Sequence, residues 1–350
     1  MSTRLALQRT VRLAALSTAI LAAGCGGGGG GGSTPPVDPT PPPATLLQIT
    51  AQNQDAVARA AIATFFSMTG VHALPTGGAA TKASSVDGAV VHAFGKLPRQ
   101  ADGPRVGRFA VASQSMACSV SGSVTMTVDD RDNNMAVSPG DVLTLSFSSC
   151  RDEPEVMLNG ALAVTISGYS ETANTMLMSG SFAYQQLTLI DHGYTSAING
   201  AMNATFTESI DAMGTLTSRI EATVAASGLM ATGAQPGYNE TFTYDPGFAT
   251  TLTDVSGAPP MIAAGTTLCN GTVHAASLNG RITLATDAAS PVHQRAVDAY
   301  PDTGRVRVIG QGSLLQLTVM NSTMVRIELD LTNDGVFDEA KDMAWTTLMP

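Results

Sequence analysis

Two acidic runs hold the residue types best suited to chemistry in this chain. The first is Asp130-Arg131-Asp132-Asn133-Asn134-Met135-Ala136-Val137-Ser138-Pro139-Gly140-Asp141, with side-chain oxygens at positions 1, 3, 5, 9 and 12 of twelve. The second runs from Asp330 to Glu339 and carries Asp330, Asp334 and Asp338 at positions 1, 5 and 9. Oxygens at such spacing are hard donors that can wrap one calcium ion. Asp and Asn in hairpin turns also bond their own backbone, which yields the same composition with no ion. Both readings stay open. The calcium reading assigns Asp130, Asp132, Asn134 and Asp141 to one set and Asp330, Asp334 and Asp338 to the other.

The first run resembles a calcium loop of EF-hand type, which implies that Val137, at position 8, packs inward. It departs from that pattern at Met135, where such loops carry glycine, and at Asp141, which is shorter than the usual Glu. The second run keeps Gly335 at position 6 and an apolar residue at position 8, but its position 12 is Lys341, next to Asp342. Strands, not helices, are expected on both sides of each run.

Catalytic patterns are sparse. His72, His92, His192, His274 and His293 are scattered, with no His-Glu-x-x-His. No Gly-x-Ser-x-Gly elbow and no Ser-x-x-Lys is present. Asp191-His192 stands before Gly193 and reads as a turn. The expectation is a chain without catalytic residues.

The N-terminus gives an address. Arg4, Arg9 and Arg12 precede an apolar run from Leu13 to Ala23, too short to cross about 30 Å of hydrocarbon as a helix. The run ends in Leu21-Ala22-Ala23-Gly24-Cys25, followed by Gly26–Gly32 and a Pro-rich stretch to Pro43. This resembles a bacterial lipoprotein signal peptide with its lipobox. The resemblance covers that segment alone and implies lipidation at Cys25 after removal of residues 1–24. Gly26, following the cysteine, implies the outer membrane. Glycine runs are flexible and proline runs extended, so residues 25–45 read as a tether.

Composition agrees with export. Charged residues make up 13% of the 350, where about a quarter is usual. Aromatics at 5% are too few for the two girdles of a transmembrane barrel. The formal net charge is −10; losing Arg4, Arg9 and Arg12 leaves 15 basic against 28 acidic residues, or −13. Such a surface disfavours nucleic acid and tolerates divalent cations.

In an oxidising compartment Cys118, Cys150 and Cys269 remain to be assigned. Cys118 and Cys150 flank one hairpin-sized unit, and pairing them would staple its ends. Cys150 with Cys269 is the alternative.

The elements that must position these residues are mostly strands. Asn53 to Met68 reads as a helix, with Asn53 as N-cap and Val57, Ala61, Phe65 and Met68 on one face. A second helix is expected over Ser85–Leu97, so residues 46–100 form a helical segment. Over residues 101–350 short Thr- and Val-rich alternating runs lie between Gly, Asn, Asp and Ser, which predicts antiparallel β. Examples are Ser123–Val128, Val142–Phe147, Ala161–Ile166, Arg281–Leu284 and Met324–Leu329. The expected fold is mainly β, a large antiparallel meander, curled or barrel-like, that must close, curl or be covered at its edges. Methionines on strand-like runs, such as Met176 and Met178, are expected to fill the core.

Asn159-Gly160, Asn199-Gly200 and Asn279-Gly280 recur at 40-residue spacing, with Tyr238-Asn239 at the missing phase. A true repeat and a mere preference for Asn-Gly in turns both account for them. The segment from Tyr300 through Trp345 resembles a C-terminal piece common in secreted and lipoprotein chains of Gram-negative bacteria, in which a hairpin leads to an Asp-rich turn and a Trp.

These readings together describe a lipid-anchored cell-envelope protein with a structural or binding role and possible calcium as its one cofactor. A carrier of lipid or another apolar ligand in a β groove, and a polysaccharide hydrolase, are the alternatives.

Overall fold

A computed structural model of the chain describes residues 45–69, 113–134, 137–151, 156–191, 194–235, 238–256, 264–295 and 298–349. The lipobox, the tether, the helix expected over Ser85–Leu97, and His72, His92 and His192 lie outside them. Helix α1 spans Gln54–Thr69. The strands that follow are β1 (Ser113–Ala117), β2 (Ser121–Asp129), β3 (Val142–Arg151), β4 (Met157–Glu171), β5 (Thr175–Asp191), β6 (Tyr194–Ile210) and β7 (Leu216–Gln235). Next come β8 (Tyr238–Tyr244), β9 (Ala249–Ser256), β10 (Ala264–Ala275), β11 (Gly280–Thr286) and β12 (Val292–Arg295). β13 (Gly304–Ile309), β14 (Leu314–Asn321), β15 (Met324–Asp330) and β16 (Glu339–Ala344) complete one sheet, and α2 (Trp345–Leu348) follows.

All sixteen strands belong to that sheet, and every strand pairing is antiparallel. The order is that of a meander. Two long lanes are broken: β8 and β9 lie end to end along β7, and β11 and β12 lie end to end along β10. Alternate burial follows from the period of two. In β11, for example, Gly280, Ile282, Leu284 and Thr286 are buried and the residues between them are half-exposed.

The strands are too long to stay flat, and a line of bulges folds them. On β3, Phe147 and Cys150 are buried while Ser148 and Ser149 between them are both exposed. On β5, Tyr184 and Leu187 are buried while Gln185 and Gln186 are both exposed. On β7, four residues from Ala225 to Gly228 stand opposite Ala201 of β6 alone. Each extra residue lengthens the outward side of its strand and resets the inside–outside phase. The sheet therefore bends toward its apolar face, as in packings where strands turn corners at bulges.

The neighbouring strands supply the glycines this requires. Gly160 on β4 and Gly200 on β6 have φ of 93° and 115°. A Cβ on Gly160 would collide with the Gln186 carbonyl, and one on Gly200 with the Gly228 carbonyl. Asn159 and Asn199 accept the backbone N–H groups of Ser149 and Gln186 at 2.7 and 3.3 Å. Ser149 and Gln186 are the two bulge residues other than glycine that are held at positive φ. The Asn-Gly pairs are thus bulge-holding devices inside strands, not hairpin turns. The 40-residue spacing of the first two is two long strands with their turns. Asn279 instead takes a left-handed conformation after the short 3₁₀ turn at Ala276–Leu278, so the spacing does not mark four equivalent units.

α1 packs inside the resulting curl. Val57, Ala61, Phe65 and Met68 are buried as their spacing predicts, and so are Ala58, Ala60, Ile62, Ala63 and Thr64. The small alanines let neighbours approach from a second side. Asn53 lies at the helix start, but its side-chain oxygen accepts the Thr50 N–H at 2.8 Å and its amide donates to the Gln48 carbonyl at 3.0 Å. It fastens the turn before the helix, and its carbonyl accepts the Val57 N–H at 2.9 Å.

One end of α1 meets β16 and α2, through Gln54 to Glu339 at 2.9 Å, Asp55 to Lys341, and Arg59 to the Leu348 carbonyl at 2.9 Å. The other end meets β8, where the Tyr244 hydroxyl bonds Ser67 and donates to the Thr64 carbonyl at 3.4 Å. β8 and β16 stand six inter-strand steps apart, about 29 Å along the sheet. The helix rises only about 18 Å between Asp55 and Ser67, so the sheet curls over it. Buried residues from Ile49 to Met349 form one connected core. Met126, Met178 and Met202 belong to it, whereas Met176, also expected there, is only half-buried. Trp345 is 1% exposed and stacks on Tyr300 with ring centroids 5.5 Å apart. No helix among the described residues is long and apolar enough to cross a membrane.

Cys118 and Cys150 form a disulfide with Cα atoms 5.4 Å apart. It ties the β1–β2 turn to the far end of β3. Cys269 lies on β10 and is fully buried. The alternative pairing of Cys150 with Cys269 is therefore excluded.

Candidate functional site

The first acidic run is the connection between β2 and β3. Its last two residues are held by β4: Gly140 donates to the Ile166 carbonyl at 2.8 Å, and Ile166 donates to the Asp141 carbonyl at 2.9 Å. Val137 is buried, as an inward-packing position 8 requires. Met135 and Ala136 lie outside the described residues.

Three carboxylates gather here. Asp130, Asp132 and Asp141 each place an oxygen so that all lie within 4.8 Å of one another. Asp141 is 1% exposed. Its oxygens accept the N–H groups of Arg131 at 3.1 Å and Ser138 at 2.8 Å. The Ser138 hydroxyl stands 2.9 Å from Asp132 and 3.0 Å from Asp141. A hydroxyl has one hydrogen, so the two carboxylates share it. That hydrogen bond from Ser138 holds the Asp132 carboxyl below the usual range; slight burial opposes it and the Asn134 N–H adds to it. Asn134 donates its backbone N–H to both Asp130 and Asp132 at 3.2 Å and its side-chain N–H to Asp132 at 2.8 Å. In this arrangement Asn134 is a donor to the carboxylates. The trio concentrates negative charge at one turn, the electrostatic condition for a divalent cation.

The second run, between β15 and β16, is arranged differently. Asp330 is fully buried and spends both oxygens on its own turn, accepting from Thr332 at 3.1 Å, Asp334 at 3.2 Å and Gly335 at 2.8 Å. Burial pushes its carboxyl up, but these N–H groups, Gly335 foremost, outweigh burial and hold it below the usual range. Asp338 accepts the Leu331 N–H at 2.8 Å, and Asp334 accepts the Val336 N–H at 2.9 Å. Asn333 and Gly335 take positive φ of 56° and 89°. Among the described residues the only acid, histidine or cysteine trio close enough to share one ion is that of Asp130, Asp132 and Asp141.

Two polar clusters had no signal in the sequence. His293 on β12 meets Asp302, nine residues on, at 2.5 Å, and Arg295 lies 2.7 Å from Asp298 and 3.5 Å from Asp302. An isolated antiparallel bridge between His293 and Thr303, ahead of β13, brings them together. The second is at the bend. Arg281 on β11 pairs with Asp245 at 2.5 Å, beside His274 of β10. Burial pushes the His274 imidazole down, and the charge of Arg281 adds to it against Glu240 and Asp245. Glu240, 2% exposed, accepts the N–H groups of Thr241 and Ser277, both at 3.0 Å.

An open groove of about 570 Å³ crosses β4, β5, β6, β7 and β9. Its side chains are mostly those of the outward positions, including Thr165, Ser181, Asn203 and Thr223, which register places side by side. Asp191-His192 contributes no described pair, because His192 lies outside the described residues.

No protein-family model, no curated protein and no solved structure matches this chain.

Proposed function

We propose that this is a lipid-anchored protein of the bacterial cell envelope, held at the outer membrane through Cys25, whose β domain has a structural or binding role and no catalytic one. The observation that carries the reading is the sequence from Arg4 to Pro43: a basic start, a short apolar run, Ala23-Gly24-Cys25 and a glycine–proline tether. The packing of the domain agrees with it. A carrier needs a hollow apolar interior, and here the curl of the sheet is occupied by α1, buried on more than one face. Stability in an exposed compartment is served by the Cys118–Cys150 bridge. Membrane fractionation tests the reading: the full chain should sediment with outer membranes and resist extraction by high salt, and Cys25→Ser should not.

Calcium binding is the second reading, favoured by the mutual approach of Asp130, Asp132 and Asp141 within 4.8 Å. It would brace the β2–β3 connection, at the end of that hairpin opposite the disulfide. In a compartment open to millimolar calcium a ligand-poor site suffices.

A further inference from the structure

No further inference is drawn: the strongest candidate, the open polar groove across the outward faces of β4 to β7 and β9, is a face of short Thr, Ser and Asn side chains, and nothing in the structure shows what covers it.

Discussion

The side-chain oxygen of Asn159 on β4 accepts the backbone N–H of Ser149 on β3 at 2.7 Å. Ser149 sits at φ 46°, a conformation that costs a residue with a Cβ of order 1 kcal/mol. The bond satisfies a donor that the bulge removes from the ladder. Asn199 does the same for Gln186 one hairpin further on. The two contacts hold the crease about which the sheet turns inward.

Substitutions along the crease should therefore rank by mechanism. Asn159→Ala loses one hydrogen bond at a half-exposed site, about 1 kcal/mol. Gly160→Ala places a methyl against the Gln186 carbonyl at positive φ and should cost about 3 kcal/mol. Urea unfolding midpoints measure both. Equal midpoints for Gly160→Ala and the parent would show that the crease does not need its glycine.

Much of the fold is legible in the sequence because burial imposes periodicity. Val57, Ala61, Phe65 and Met68 mark α1, and each alternating run quoted above lies inside a strand. The crease is half legible. Asn159-Gly160 and Asn199-Gly200 stand out as pairs, but a dipeptide that suits a hairpin turn also suits a bulge, and only the neighbouring strand decides between them. The lengths of β4 to β7 are hidden for the same reason, since a bulge reads as a turn. In the acidic runs, composition is the same for Asp130 and Asp330, and what differs is where the oxygens point. Asp330 is surrounded by its own turn's N–H groups, whereas Asp130, Asp132 and Asp141 converge across twelve residues. His293 and Asp302 owe their meeting to an isolated bridge between His293 and Thr303, which spacing does not reveal.

Cys118 and Cys150 should be recovered as one linked peptide under non-reducing conditions, with Cys269 resisting alkylation until the chain unfolds. Replacing both bridge cysteines by Ser should destabilise the domain by roughly 2–4 kcal/mol, given the length of the loop closed. Rapid labelling of Cys118 and Cys150 as thiols in the native protein would contradict this.

Stability should fall with acid in two steps. The folded chain favours neutral His274, so that contribution is complete above about pH 6.5, the unfolded value, and is lost as pH falls through the lower folded value. Asp132, Asp330 and Asp342 have lowered folded values, so their contribution is complete above about pH 3.9 and is lost as pH falls further. Melting temperature against pH should show both declines, and His274→Gln should remove the first alone. An unchanged slope between pH 7 and 5 in His274→Gln would assign that decline to another group.

If Asp130, Asp132 and Asp141 hold calcium, the melting temperature should rise in millimolar calcium, with about 2.7 kcal/mol gained at a hundredfold excess over Kd. Asp130→Ala with Asp132→Ala should abolish that rise, Asp330→Ala with Asp334→Ala should leave it, and magnesium should do less. Identical melting curves in calcium and in chelator would leave both runs as hairpin turns.

If Cys25 carries the lipid that fixes the domain to the membrane, acyl chains are attached at that residue and nowhere else. Metabolic labelling with palmitate reads that attachment. Label is expected in the full-length protein and none in Cys25→Ser, with release of that variant from the membrane or its retention in unprocessed form. Label that persists in Cys25→Ser, or a parent protein that takes up none, would contradict it.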